Sequence, residues 1–128
     1  MKKTILTATA ICAFAGAVSA DPIYGSWLTT QDDNGNSGLI EIVQCGDAIC
    51  GSLIAAYDAS GTQTDSDNIG RQLIWDTKPS ENNQYRGKIY SPDRDRTYNS
   101  RLVLNGDSLT VSGCVLGICR EGGVWSRQ

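Results

Sequence analysis

Histidine is absent from all 128 residues. The commonest general base and the commonest metal ligand are therefore missing, and Ser–His and Cys–His nucleophile systems are excluded. Methionine occurs once, as Met1, so a soft Met-rich binding surface is ruled out. Positive charge is in the minority, with 11 Lys and Arg against 14 Asp and Glu and a net charge of −3; losing Lys2 and Lys3 would take it from −3 to −5. An acidic domain without a basic run is a poor candidate for nucleic acid or an anionic lipid surface. The Cys-x-x-Cys spacing of a redox-active pair is absent too. Beyond the first twenty residues there is no second long apolar run, no helix-length 3.6-residue stripe and no repeat or linker.

What is present begins with an export signal. Lys2 and Lys3 precede an apolar or small run from Thr4 to Val18, and Val18-Ser19-Ala20 supplies the small residues that a signal peptidase reads. The sequence predicts cleavage after Ala20, loss of Cys12 with the signal, and a single mature domain over 21–128 that is periplasmic or secreted. The remaining cysteines fall into two copies of one spacing, Cys45-x4-Cys50 and Cys114-x4-Cys119. Behind an export signal an even number of cysteines points to disulfides. Each pair brackets a turn, so each reads as a staple across a hairpin, closed at Asp47-Ala48 in the first and at Leu116-Gly117 in the second. In such turns Cys45 would face Cys50 and Cys114 would face Cys119. A four-thiolate zinc site is the competing reading; an oxidising compartment favours the disulfides.

Short β-rich runs alternate with turn signals, the pattern of a sandwich or a barrel. Strands are predicted over 24–30, 38–45, 49–57, 71–76, 84–91, 97–104, 108–114 and 119–127. Residues 58–70 read as a polar loop and 78–83 as a polar crossing. Tyr98, Leu102 and Leu104 share one face of their strand, and Tyr85, Gly87 and Ile89 one face of theirs. Leu39, Ile40, Ile42 and Val43 break alternation, which predicts a strand covered on both faces. A barrel of about eight such strands would have room for side chains or one small ligand.

Gly25-x-Trp27 opens the first strand and Trp125-x-Arg127 closes the last. With Cys45-Gly46-Asp47-x-x-Cys50-Gly51, the run Gly87-Lys88-Ile89-Tyr90-x-Pro92, Tyr98 and Gly113-Cys114, these motifs resemble the domain of unknown function 2147 family of small secreted bacterial proteins. The resemblance covers essentially the whole mature chain. It implies a lipocalin-like, all-β, antiparallel up-and-down barrel and leaves the biochemical role open. By the same analogy Trp27 would meet Arg127 in a cation–π contact, with Trp27, Trp125 and Arg127 closing the barrel.

Candidate chemistry is sparse. Asp65-x-Asp67-x-x-Gly70 has a faint look of a calcium loop, but Ile69 offers no side-chain oxygen, so a solvated loop is the better reading. Asp93-Arg94-Asp95-Arg96 reads as a charged turn. Trp27, Trp75, Tyr90 and Tyr98, with Arg71 and Lys88, are the candidate ligand-binding set; Trp75 and Tyr98 suit the core equally well. No cofactor or metal is implied. The sequence thus predicts a non-enzymatic barrel that binds a small apolar or amphipathic molecule. The alternative is a protein-binding module, such as a hydrolase inhibitor or an envelope accessory factor.

Overall fold

The structure, a computed structural model, describes residues 20–128; apart from Ala20, the expected signal lies outside them. The described residues are all-β. The strands are β1 (Gly25–Leu28), β2 (Ser37–Cys45), β3 (Ala48–Tyr57), β4 (Gln63–Thr64), β5 (Gln72–Pro79), β6 (Gln84–Ser91), β7 (Arg96–Asn105), β8 (Ser108–Val115) and β9 (Ile118–Arg127). They run antiparallel in the order β2-β1-β9-β8-β7-β6-β5-β3, and β2 pairs back with β3, so the sheet closes on itself. Closure leaves eight strands in the barrel wall, with the two-residue β4 attached to β3. Closure pairs each wall strand on both sides, although β1 meets β9 over only Trp27–Arg127 and Leu28–Ser126; an open sheet of this length would leave two whole edges of unpaired backbone.

Period-two patterning fills the interior. Tyr85 opposes Leu102, Leu102 opposes Val111, and Leu109 opposes Trp125; all are buried. Ile23, Trp27, Ile40, Ile42 and Ile74 complete the centre. Burying each large apolar side chain contributes about 1.5–3 kcal/mol against leaving it in water, enough for hydrophobic burial to dominate the fold.

Three sequence expectations are corrected. The first hairpin turns at Gly46-Asp47, with Cys45 opposite Ala48 and Val43 opposite Cys50, so its cysteines are diagonal neighbours rather than a facing pair. Gly46 takes φ +63° at the first turn position, the place where glycine initiates a two-residue hairpin turn, and this sets the register. β2 is covered on one face only: Gly38, Ile40 and Ile42 are buried in strict alternation, while Leu39 is half-buried and Val43 exposed on the other face; the register shift beside Leu39/Ile40 places its extra residue, Ile54, on β3. β5 continues to Pro79 through what reads as a polar crossing. Its pairing with β6 is interrupted between Trp75 and Lys78, where Asp76 adopts φ +49°, and Thr77 turns inward to full burial.

That bulge explains Gly87. A Cβ there would lie 2.6 Å from Thr77 Cα and 2.8 Å from the Asp76 carbonyl oxygen. Only glycine lets β6 approach β5 so closely.

Candidate functional site

The two ends of the barrel differ. At one end the chain plugs itself. Ile23 is fully buried, and its carbonyl accepts a hydrogen bond from Trp27 Nε1 at 2.9 Å. The Arg127 guanidinium lies over the Trp27 ring, 4.3 Å from its centroid. Its Nη2 donates to the Pro22 carbonyl at 2.7 Å, Nη1 to the Tyr24 carbonyl at 3.1 Å, and Nε to Asp107 Oδ1 at 3.0 Å. Gly25 makes room for it, since a Cβ there would stand 3.2 Å from Nη1. Asp21 Oδ1 accepts from the Ile23 amide at 2.9 Å and from the Tyr85 hydroxyl at 2.5 Å. Burial first, and then this bond to a carboxylate, hold the Tyr85 phenol well above its ordinary pKa of 10.0.

At the other end lies an open funnel of about 1260 Å³. Leu53, Leu73, Ile89, Val111 and Trp125 form apolar walls; the β1–β2, β3–β4 and β6–β7 connections and the tip of the β8–β9 hairpin form its rim. The rim is polar, with Asp33, Asp58, Asp65, Asp93 and Glu121 against Arg94 and Arg120. Asp58 ties down its own loop: Oδ1 accepts from Ser60 Oγ at 2.6 Å, Ser60 N at 2.9 Å and Thr62 N at 3.0 Å. The Ser60 hydroxyl and then the Thr62 amide lower its pKa from 3.8. A barrel of eight strands has an interior only just wide enough for side chains. Here they fill the plugged end and leave the other end hollow.

The residues singled out from sequence fall into three places. Tyr90 and Tyr98 line the mouth, and Arg71 pairs with Tyr90 beside it. Arg71 stacks over Tyr90, with Cζ 3.8 Å from the ring centroid, and the Tyr90 hydroxyl donates to Asp95 at 2.5 Å. That bond, chiefly, raises the Tyr90 pKa, and Arg71 opposes the rise. Tyr98 lies across Gly113, where a Cβ would be 3.2 Å from its Cγ, and lines the funnel. Trp27 belongs to the plug. Trp75 and Lys88 face each other on the outer surface, and Lys88 Nζ donates to Asn99 Oδ1 at 2.6 Å. Neither therefore lines the funnel: the β5 bulge follows Ile74, which takes the inward place beside Ile89.

Closure is split as well. Trp27 and Arg127 pair in register at the plug, whereas Trp125 stands two residues back along β9 and forms funnel wall. Leu73, Ile89 and Val111 were not singled out as lining. The inward direction of Ile89 and Val111 is legible from alternation; that of Leu73 is not, because it is buried next to Ile74 where a register shift against β3 leaves an extra residue in β5, and which end of the barrel is hollow is not legible either. The two cysteine pairs are bonded as Cys45–Cys50, with Cα atoms 5.8 Å apart, and Cys114–Cys119, at 4.0 Å. They sit at opposite ends of the barrel, which precludes a shared zinc site. No cluster of His, Cys, Asp or Glu able to hold a metal occurs among the described residues.

A closed antiparallel barrel, plugged at one end by a Trp–Arg contact and open at the other, has the architecture of the lipocalin-like proteins. The chain belongs to the DUF2147 family, described as an uncharacterized protein conserved in bacteria, whose model matches residues 25–127. Among solved structures it is similar to protein HP1028 from the human pathogen Helicobacter pylori, described as belonging to the lipocalin family. The identity is 17%, the match covers 82% of each chain, and the TM-score is 0.64. A search of curated proteins finds no match. At that identity the likeness establishes the fold.

Proposed function

We propose that this is a non-enzymatic carrier or sensor of a small apolar or amphipathic molecule, working in the periplasm or outside the cell. One observation carries the reading: the barrel is filled at one end and hollow at the other, and the hollow end has apolar walls under a polar rim. Concave sites of that composition suit molecules whose tail leaves water while a head stays at the rim. Trp125, Val111, Leu73 and Ile89 would hold the tail; Tyr98, Tyr90 and Arg71 would stand beside the head. Two disulfides suit an oxidising, extracytoplasmic environment, consistent with export through a signal cleaved after Ala20. The mouth is poorly equipped for acid–base chemistry. Asp58 on its rim is shifted downward, opposite to what a general acid at neutral pH needs.

Native mass spectrometry of the protein recovered from its own host tests the proposal. A co-purifying small molecule that quenches or shifts Trp125 fluorescence supports it. Protein that is empty on isolation, and that also fails to take up apolar fluorescent probes, refutes it.

A further inference from the structure

In the sequence the cations are scattered; on the barrel they are gathered. Lys78 pairs with Arg86 across β5 and β6, and Arg86 pairs with Arg101 across β6 and β7. Thr77, Tyr85 and Leu102 beside them are buried, so alternation sends all three cations outward. Lys88 stands two residues along from Arg86, opposite Trp75. Four of the chain's 11 lysines and arginines thus form one patch on an acidic protein. Like charges directly opposite one another across a sheet are unfavourable, and the patch has little to relieve them. Of these four cations only Lys78 has an ion-pair partner among the described residues, Asp47 at 3.7 Å, and both side chains are largely exposed.

The patch runs into an exposed apolar tip. Arg86 Nη1 lies 3.9 Å from Cys119 Sγ, in the disulfide that staples the β8–β9 hairpin. Beyond that staple Val115, Leu116 and Ile118 are 53%, 96% and 65% exposed. Leu116 also takes φ +53° in the turn, a conformation that Asn adopts far more readily. The leucine serves neither the turn nor the core.

We propose that this hairpin tip and the adjoining cations dock on an anionic lipid bilayer. The apolar tip would enter the headgroup–acyl boundary while Arg86, Lys88 and Arg101 meet the phosphates. Charge complementarity and a small apolar wedge are the two ingredients of such peripheral attachment. Docking itself does not depend on what the funnel holds.

Vesicle co-sedimentation tests this with oxidised protein expressed from its full sequence and recovered from the host envelope. Vesicles containing phosphatidylglycerol should pull the protein down, pure phosphatidylcholine should not, and salt of about 0.5 M should release it as the Debye length contracts. R86Q/R101Q should weaken binding about thirtyfold, roughly fivefold per cation. L116N should weaken it about tenfold through lost apolar burial, with thermal stability kept or raised because Asn fits the turn. Equal binding to neutral vesicles, or no binding to anionic ones at low salt, would overturn the proposal. So would binding that L116N leaves intact while R86Q/R101Q abolishes it, since the face would then serve soluble anions. A dimer in sedimentation velocity that L116N dissolves would assign the tip to a second copy instead.

Discussion

Replacing Arg127 with methionine keeps an apolar stem but removes every donor that the plug uses. The carbonyls of Pro22 and Tyr24 lose their partner, and the Trp27 ring loses the cation above it. Hydrogen bonds from a charged group contribute about 1.5–3 kcal/mol and a partly desolvated cation–π contact about 0.5–2 kcal/mol. The Asp107 end of the ion pair is 85% exposed and adds little. Arg127→Met is therefore expected to cost about 3 kcal/mol in urea denaturation. A loss below about 1 kcal/mol would show that the plug stands without its cation. Tyr85 makes a different test because its role depends on pH. Its folded pKa is raised, so its stabilisation is complete below the unfolded value near 10.0 and is lost as pH climbs above it. Wild-type unfolding midpoints should fall on the alkaline side, and Tyr85→Phe should be less stable at neutral pH yet lack that alkaline component. Parallel midpoint curves for the two proteins would contradict the assignment.

At the scale of hairpins, the staples are nearly equivalent in energy but not in consequence. Each closes a short loop, for which loss of unfolded-chain entropy corresponds to about 2 kcal/mol. Converting either pair to serine should therefore lower stability by a similar amount. Only loss of Cys114–Cys119 loosens the rim of the funnel, because Val115, Leu116 and Ile118 border it and the Cys45–Cys50 hairpin does not. Amide exchange at 115–118 should quicken in the Cys114→Ser/Cys119→Ser protein and stay unchanged in the Cys45→Ser/Cys50→Ser protein. The second hairpin was legible in register: its turn falls at Leu116-Gly117 and the cysteines face each other as their spacing implies, whereas the positive φ of Leu116 was not legible from a leucine. The first was legible as a hairpin but not in register, because two turns one residue apart both fit the spacing and only Gly46 decides between them. The β5 bulge was hidden for a related reason. Gly87 is conspicuous in the chain, but what it accommodates is Thr77, ten residues away and across a strand boundary.

The whole barrel is a plugged tube, and its two ends should respond independently to substitution. Outside the irregular strand β5, local patterning reveals which side chains point inward; it says nothing of how many meet at a given level. The hollow therefore emerges only when the strands are closed into a ring, and the outer cation patch emerges in the same way. Val111 is buried on β8 and forms part of the funnel wall, opposite Leu102 on β7. Substituting phenylalanine there adds volume toward the hollow, where unfilled space absorbs it, rather than into the close-packed plug. Overpacking a filled core costs about 1–3 kcal/mol, so Val111→Phe is expected to stay at the low end of that range. Uptake of an apolar probe should nevertheless fall by at least about tenfold, since a blocked wall forfeits burial of about two methylene groups. Arg127→Met should do the reverse, costing stability while leaving probe affinity nearly intact. Titration of one probe against both variants, beside their urea midpoints, separates the ends. If Val111→Phe binds as wild type does, the hollow end is not where the ligand sits.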